Sequence, residues 1–175
     1  MEDYTLKLKD MKKIVLFLFC MLAAIANVNA QQVTKTTHKK AVKTDVVTTG
    51  NMTIRKPSYI CISTDNDQDQ LIMDGTKFTM TMGKKKHVTD SRKNPQFATF
   101  QAVLEAVING RAIPASEDLT VSAKGNDKVL TITPTGKKRR QMFTSFVLVI
   151  DAKTSAFKTL KMNDRSGGFM EYTFK

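Results

Sequence analysis

Phe78-Thr79-Met80-Thr81-Met82 alternates large apolar and hydroxyl side chains at every second position. A strand sends successive side chains to opposite faces. The stretch therefore predicts a strand with Phe78, Met80 and Met82 buried and Thr79 and Thr81 turned to water. The same period recurs outward in both directions. Met52 and Ile54 share a face, as do Ile60 with Ile62, Leu119 with Val121 and Ala123, and Leu130 with Ile132. Near the end come Leu160 with Met162, then Met170, Tyr172 and Phe174. Turn-forming sequences separate these runs: Asp65-Asn-Asp67, Asp74-Gly75, Gly83-Lys84, Gly125-Asn-Asp127, Thr135-Gly136 and Ser166-Gly-Gly168. Breaks at spacings of about 8–12 residues predict an antiparallel meander of hairpins, without crossover helices. Residues 32–49, rich in Thr and Lys, read as a strand or strand pair, and Pro57 marks a bend between two runs.

One segment changes period. Asn94-Pro95 is an N-cap followed by proline at the first helical position. Phe97, Phe100, Leu104, Val107 and Ile108 then fall on one helical face, and Gly110 supplies the C-terminal stop. Phe146-Val-Leu-Val-Ile150 is apolar at every position, which predicts a strand covered on both faces. The expected fold is mainly β with one or few helices: an unclosed antiparallel β-barrel, or half-barrel, wrapped over a helix.

The chain carries 28 Lys and Arg against 16 Asp and Glu, a formal charge of +12, with 41% hydrophobic residues. That apolar share suits one packed domain and excludes a disordered chain. Residues 1–30 have the grammar of an export signal: Lys12 and Lys13, an apolar run from Ile14 to Ala26, and Val28-Asn29-Ala30. The run spans about 13 residues, short of the roughly 20 a transmembrane helix needs. We expect translation from Met11 and cleavage after Ala30, leaving residues 31–175 as a single domain. Acylation of Cys20 is disfavoured because Phe19 stands where a lipobox needs a small residue. After cleavage Cys61 is the one remaining thiol, so no internal disulfide can form.

Signals for catalysis are thin. Cys61 and His87 are the one conceivable nucleophile–base pair, yet Cys61 lies mid-strand with no helix N-terminus to acidify it. Residues 65–69 open like a calcium loop, but Gln70 and Thr76 occupy the positions that need Gly and Glu, so a solvated turn is the better account. We expect no catalytic residue, no metal and no cofactor. The basic clusters Lys84-Lys-Lys86 and Lys137-Lys-Arg-Arg140 lack the interleaved aromatics of a nucleic-acid surface. They suit transient contact with an anionic membrane leaflet, an acidic partner, or simply water. Seven methionines between Met52 and Met170 suit either an adaptable apolar surface or an ordinary core.

The order of segments resembles the periplasmic outer-membrane lipoprotein carrier family, LolA-like proteins. The matching stretches are Gly50-Asn-Met-Thr-Ile-Arg-Lys-Pro57, Leu71-Ile-Met-Asp-Gly-Thr-Lys-Phe78, the helix at 104–110, residues 119–134 and residues 146–174. The resemblance implies a half-barrel that shelters acyl chains without covalent chemistry. It also implies an inner-membrane release complex as donor, an outer-membrane receptor as acceptor, and the periplasm of a Gram-negative bacterium as location. The residues expected to line such a cavity are Ile60, Ile62, Phe78, Met80, Met82, Phe97, Phe100, Leu104, Phe146, Leu148 and Ile150. Where the family often carries an arginine latch before the proline of strand two, this chain has Lys56, with Arg55 one residue earlier. Residues 31–49 are β-like where the family has an amphipathic helix. A monomer is expected, and a small exported interaction module with a packed core is the alternative.

Overall fold

The computed structural model describes residues 29–42, 44–134 and 142–175. Its strands are β1 (Asn29–His38), β2 (Val46–Arg55), β3 (Tyr59–Thr64), β4 (Asp69–Asp74), β5 (Lys77–Met82), β6 (Lys85–Asp90), β7 (Leu119–Lys124), β8 (Asp127–Ile132), β9 (Phe143–Asp151), β10 (Phe157–Asp164) and β11 (Phe169–Phe174). A helix, α1 (Pro95–Ile108), lies between β6 and β7 in the chain. The strands form one sheet in the order β6-β5-β4-β3-β2-β1-β11-β10-β9-β8-β7. Every ladder is antiparallel. The order leaves β6 and β7 as the two edges, so the barrel is unclosed. Lys85 and Lys86 stand on the β6 edge, where solvated charge discourages pairing with another chain.

The topology follows from the hairpins. Asp74-Gly75 turns β4 into β5, with Gly75 at φ +55°, a conformation glycine adopts without steric cost. Asp65, Asn66 and Asp67 are all left-handed in the turn between β3 and β4, a region that Asp and Asn tolerate. Their carboxylates do not converge: Ser63 Oγ donates to Asp67, while Asp69 accepts from Lys35 and from the Gly83 amide. Residues 32–49 do form a strand pair, β1 with β2, and the β1 ladder begins at Asn29 opposite Ile54. Thr135-Gly136 and the Lys137–Arg140 cluster lie outside the described residues.

Alternation puts the apolar face inward. Phe78 and Met80 of β5 face Leu71 and Met73 of β4, and Leu148 of β9 faces Leu130 of β8 and Leu160 of β10. All seven are buried. Helix α1 covers this concave face with Phe97, Phe100, Val103, Leu104, Val107 and Ile108, each buried. Phe100 stacks on Phe146 with ring centres 4.5 Å apart, and Phe97 lies 5.0 Å from Phe78. Such ring pairs add about 0.5–1.5 kcal/mol each beyond their burial.

Two expectations need correction. Asn94 precedes α1, but its side chain makes no cap; the amide donates to Thr89 Oγ1 at 3.3 Å. At the other end Asn109 is the C-cap, and Gly110 follows it in the left-handed conformation, φ +62°. Arg111 N–H reaches Ala106 O and Gly110 N–H reaches Val107 O, the paired bonds of a Schellman stop. Strand β9 is covered on one face only. Phe146, Leu148 and Ile150 are buried, while Val147 and Val149 are half-buried. Val147 sits between Thr131 and Lys161, whose aliphatic stems shield the valine without a second layer.

Gly50, in β2 opposite Thr64, has no room for a side chain. A Cβ built there would lie 1.8 Å from the carbonyl oxygen of Ser63. Gly50→Ala must therefore push β2 away from β3. The expected loss is about 1–3 kcal/mol or more in urea denaturation. A loss near zero would show that this ladder yields freely.

Candidate functional site: the concave face and its mouth

Among the described residues, spaces of very different size lie along the concave face. At its centre, between sheet and helix, is a void of about 20 Å³. Its walls include Ile60, Ile62, Phe78, Phe100 and Leu104. A single water needs about 10–15 Å³, so the centre is filled almost to its limit. Toward the β6 edge a side cleft of about 170 Å³ is bounded by Met80, His87, Phe97 and Met142. At the opposite end of α1 a mouth of about 1150 Å³ opens to solvent. Ile54, Val107, Ile108 and Phe157 give it an apolar floor, and Arg55, Lys56 and Lys153 stand on its rim. Phe157 borders both the mouth and the central void.

The sequence-derived residues are thus divided among distinct places. Ile60, Ile62, Phe78, Phe100 and Leu104 meet at the void, and Met80 and Phe97 reach the side cleft. Phe146, Leu148 and Ile150 are fully buried beneath α1 without bordering any of these spaces, and Met82 is half-buried at the end of β5. Met52, Leu71, Met73, Phe157, Leu160 and Phe174 also wall the void. Met52, Leu160 and Phe174 carry the alternation signal. Phe157 carries none, because a register shift between Phe157 and Thr159 brings it onto the face of Leu160.

A family model described as outer membrane lipoprotein carrier protein LolA matches residues 25–175. The chain belongs to the LolA family. Solved structures with a similar fold include a LolA superfamily protein from Nitrosomonas europaea, 9% identical over 83% of each chain, TM-score 0.34. Another is a putative outer membrane lipoprotein-sorting protein domain from Vibrio parahaemolyticus, 10% identical over 83% of each chain, TM-score 0.33. A third is in the MucA/MucB complex of Pseudomonas aeruginosa, 13% identical over 83% of this chain and 50% of the other, TM-score 0.37. A search of curated proteins returns no match.

In this LolA-family chain Asn109 ties the helix end to the turn after β2. Asn109 Nδ2 donates to Pro57 O and to Glu105 O, each at 2.7 Å. Pro57 belongs to the turn joining β2 to β3, after a cis Lys56–Pro57 bond. Arg55 is engaged elsewhere, with its guanidinium carbon 3.9 Å from the centre of the Tyr59 ring. Nothing in sequence spacing marks Asn109, since its role depends on which turn the helix end meets.

Other titratable groups lie apart from the mouth. Burial pushes the Cys61 thiol up, and the residue points to the convex face of β3. His87 belongs to β6 opposite Met80, on the concave side. Two strands lie between them, roughly 14 Å of sheet, so they form no nucleophile–base pair. Among the described residues no three metal-ligating side chains converge. Lys35 is 3% exposed on the concave face of β1, with its ammonium 2.6 Å from Asp69.

Tyr172, facing the same interior, has its phenol pushed well above the ordinary value by burial, with the Asp69 charge adding to the shift. A phenol held neutral in the fold contributes stability present below about pH 10. That stability is lost as pH rises from there toward the folded value. Urea midpoints should therefore fall above about pH 10, and more steeply than in Tyr172→Phe. Equal slopes in the two proteins would remove Tyr172 as the cause.

Proposed function

We propose that this LolA-family chain binds the acyl chains of a lipidated cargo, a lipoprotein in the first instance. In this reading it carries them across the periplasm from an inner-membrane donor complex to an outer-membrane receptor. The observation that carries the reading is the continuity of apolar surface from the open mouth, past Phe157, to the underside of α1. Each exposed CH₂ costs about 0.8 kcal/mol in water, so acyl chains cannot cross an aqueous compartment unshielded. A central void of 20 Å³ accepts no such chain. Loading therefore has to swing Phe157 aside and lift α1 at its Asn109 end, where a side-chain hydrogen bond spans the joint.

Export and cleavage after Ala30 belong to the same proposal, and cleavage there would leave residues 31–38 of β1 in the ladder. No catalytic step is required, and the protein would act as a monomer. The small void favours a second reading, an exported interaction module whose core is simply full.

Native mass spectrometry of the protein purified from the periplasm of a Gram-negative host, with lipid extraction, separates the two. Bound acylated species are the expected result. An apo mass together with no uptake of a fluorescent apolar probe would sink the carrier reading and leave the packed module.

A further inference from the structure

The mouth combines features that specify more than an apolar chain. Its floor is apolar, but Arg55, Lys56 and Lys153 stand around it, all exposed and none in an ion pair among the described residues. The nearest acid in the chain, Asp151, is occupied. One of its oxygens accepts from the Lys153 and Thr154 amides and from Thr154 Oγ1, and the other lies 3.7 Å from Lys158. Those bonds hold the Asp151 carboxyl below the usual range, with the Thr154 amide the largest contributor. The acid that could neutralise Lys153 is thus turned into its own loop. Two cations from separate turns, Lys56 and Lys153, border one space whose floor leads inward, whereas the Arg55 guanidinium lies over the Tyr59 ring, 3.9 Å from its centre.

We propose that the mouth binds an amphiphile with an anionic head, its carboxylate or phosphate held between Lys56 and Lys153 and its chain laid on Ile54, Ile108 and Phe157. This deepens the acyl-carrier reading and rests on it. It commits to a lipid-borne anion, because a free anion would gain nothing from the apolar floor. The volume of about 1150 Å³ is just above the roughly 300–1,000 Å³ range of ligand sites, enough for a head group and the first part of a chain. Partly exposed charge contacts are individually weak and screened by salt, so the head group would set preference and orientation while the chain supplies most of the affinity.

The chain has no Trp, so an extrinsic fluorophore is needed. The test titrates the protein with cis-parinaric acid and with the corresponding neutral alcohol, both below micelle concentrations. The acid should bind roughly tenfold more tightly at low salt, with the gap closing at high salt. The double variant Lys56→Gln, Lys153→Gln should bind both probes equally and the alcohol as the parent does. These are exposed residues, and circular dichroism checks that the fold is kept.

Equal binding of acid and alcohol by the parent would overturn the head-group site while leaving the carrier reading standing. So would a preference that survives the double substitution. Displacement of the acid by millimolar inorganic phosphate would show a bare-anion site and reject the lipid commitment. Binding of neither probe would overturn the carrier reading itself.

Discussion

Asp69→Ala is expected to lower the unfolding free energy by about 3–5 kcal/mol. Lys35 is 3% exposed, and its ammonium lies 2.6 Å from Asp69 Oδ2. Around it are Tyr172, its partner across the β1–β11 ladder, and the apolar inner faces of both strands. Removing the carboxylate leaves a buried cation with no counterion, which costs far more than the pair contributes when intact. The Gly83 amide, 3.0 Å from the other Asp69 oxygen, loses that acceptor and keeps only its bond to Gln68 O at 3.1 Å. Lys35→Met combined with Asp69→Leu should recover most of the loss, since neither charge is then stranded. Urea denaturation of the two variants decides the matter. A loss under about 1 kcal/mol in Asp69→Ala would mean that water reaches Lys35 and that this end of the half-barrel is not sealed.

Phe100→Ala is the second large effect, again about 3–5 kcal/mol. Phe100 is fully buried, stacks on Phe146 at 4.5 Å, meets Phe78 at 5.7 Å and walls the central void. The midpoint of thermal unfolding should fall by about 10 °C, at roughly 2–4 °C per kcal/mol for a domain of this size. The same substitution should also enlarge the void from its 20 Å³ into a dry pocket. We therefore expect the variant to be less stable and yet to take up a small apolar probe that the parent excludes. Loss of stability with no probe uptake would show that α1 settles into the space, so that the helix follows whatever lies beneath it.

The alternation of Phe78, Met80 and Met82, of Ile60 with Ile62 and of Leu130 with Ile132 was legible because each lies on a strand of unbroken register. The helix was legible from its apolar spacing and from Pro95 and Gly110. What stayed hidden depends on partners distant in the chain. Phe143 and Phe157 are buried only because shifts of register beside them move them onto the inner face, and a period of two cannot reveal a shift. Val147 and Val149 looked like the second face of a sandwiched strand. Apolar identity does not say whether a layer or merely a neighbouring lysine covers it. Lys35 reads as one more solvated base among many until β4 brings Asp69 to it. The site divides in the same way. Its apolar floor was visible as pattern, whereas the role of Asn109 and the grouping of Lys56 with Lys153 arise from turns that fold together.

The β1–β11 ladder joins two meanders, and its mechanical character differs from theirs. The N-terminal part of β1 and the C-terminal end of β11 lie on the same side of the sheet, where Lys175 N–H meets Gln32 O at 3.0 Å. Tension applied there runs along the inter-strand hydrogen bonds and breaks them one after another, as a zip opens, without loading all of them at once in shear. The seam is therefore soft to pulling from that side. The element that resists is the helix, because Phe100 grips Phe78 of one meander and Phe146 of the other. Whatever lifts α1 would take away the brace across the seam, and the half-barrel could then widen along the line where its first and last strands meet.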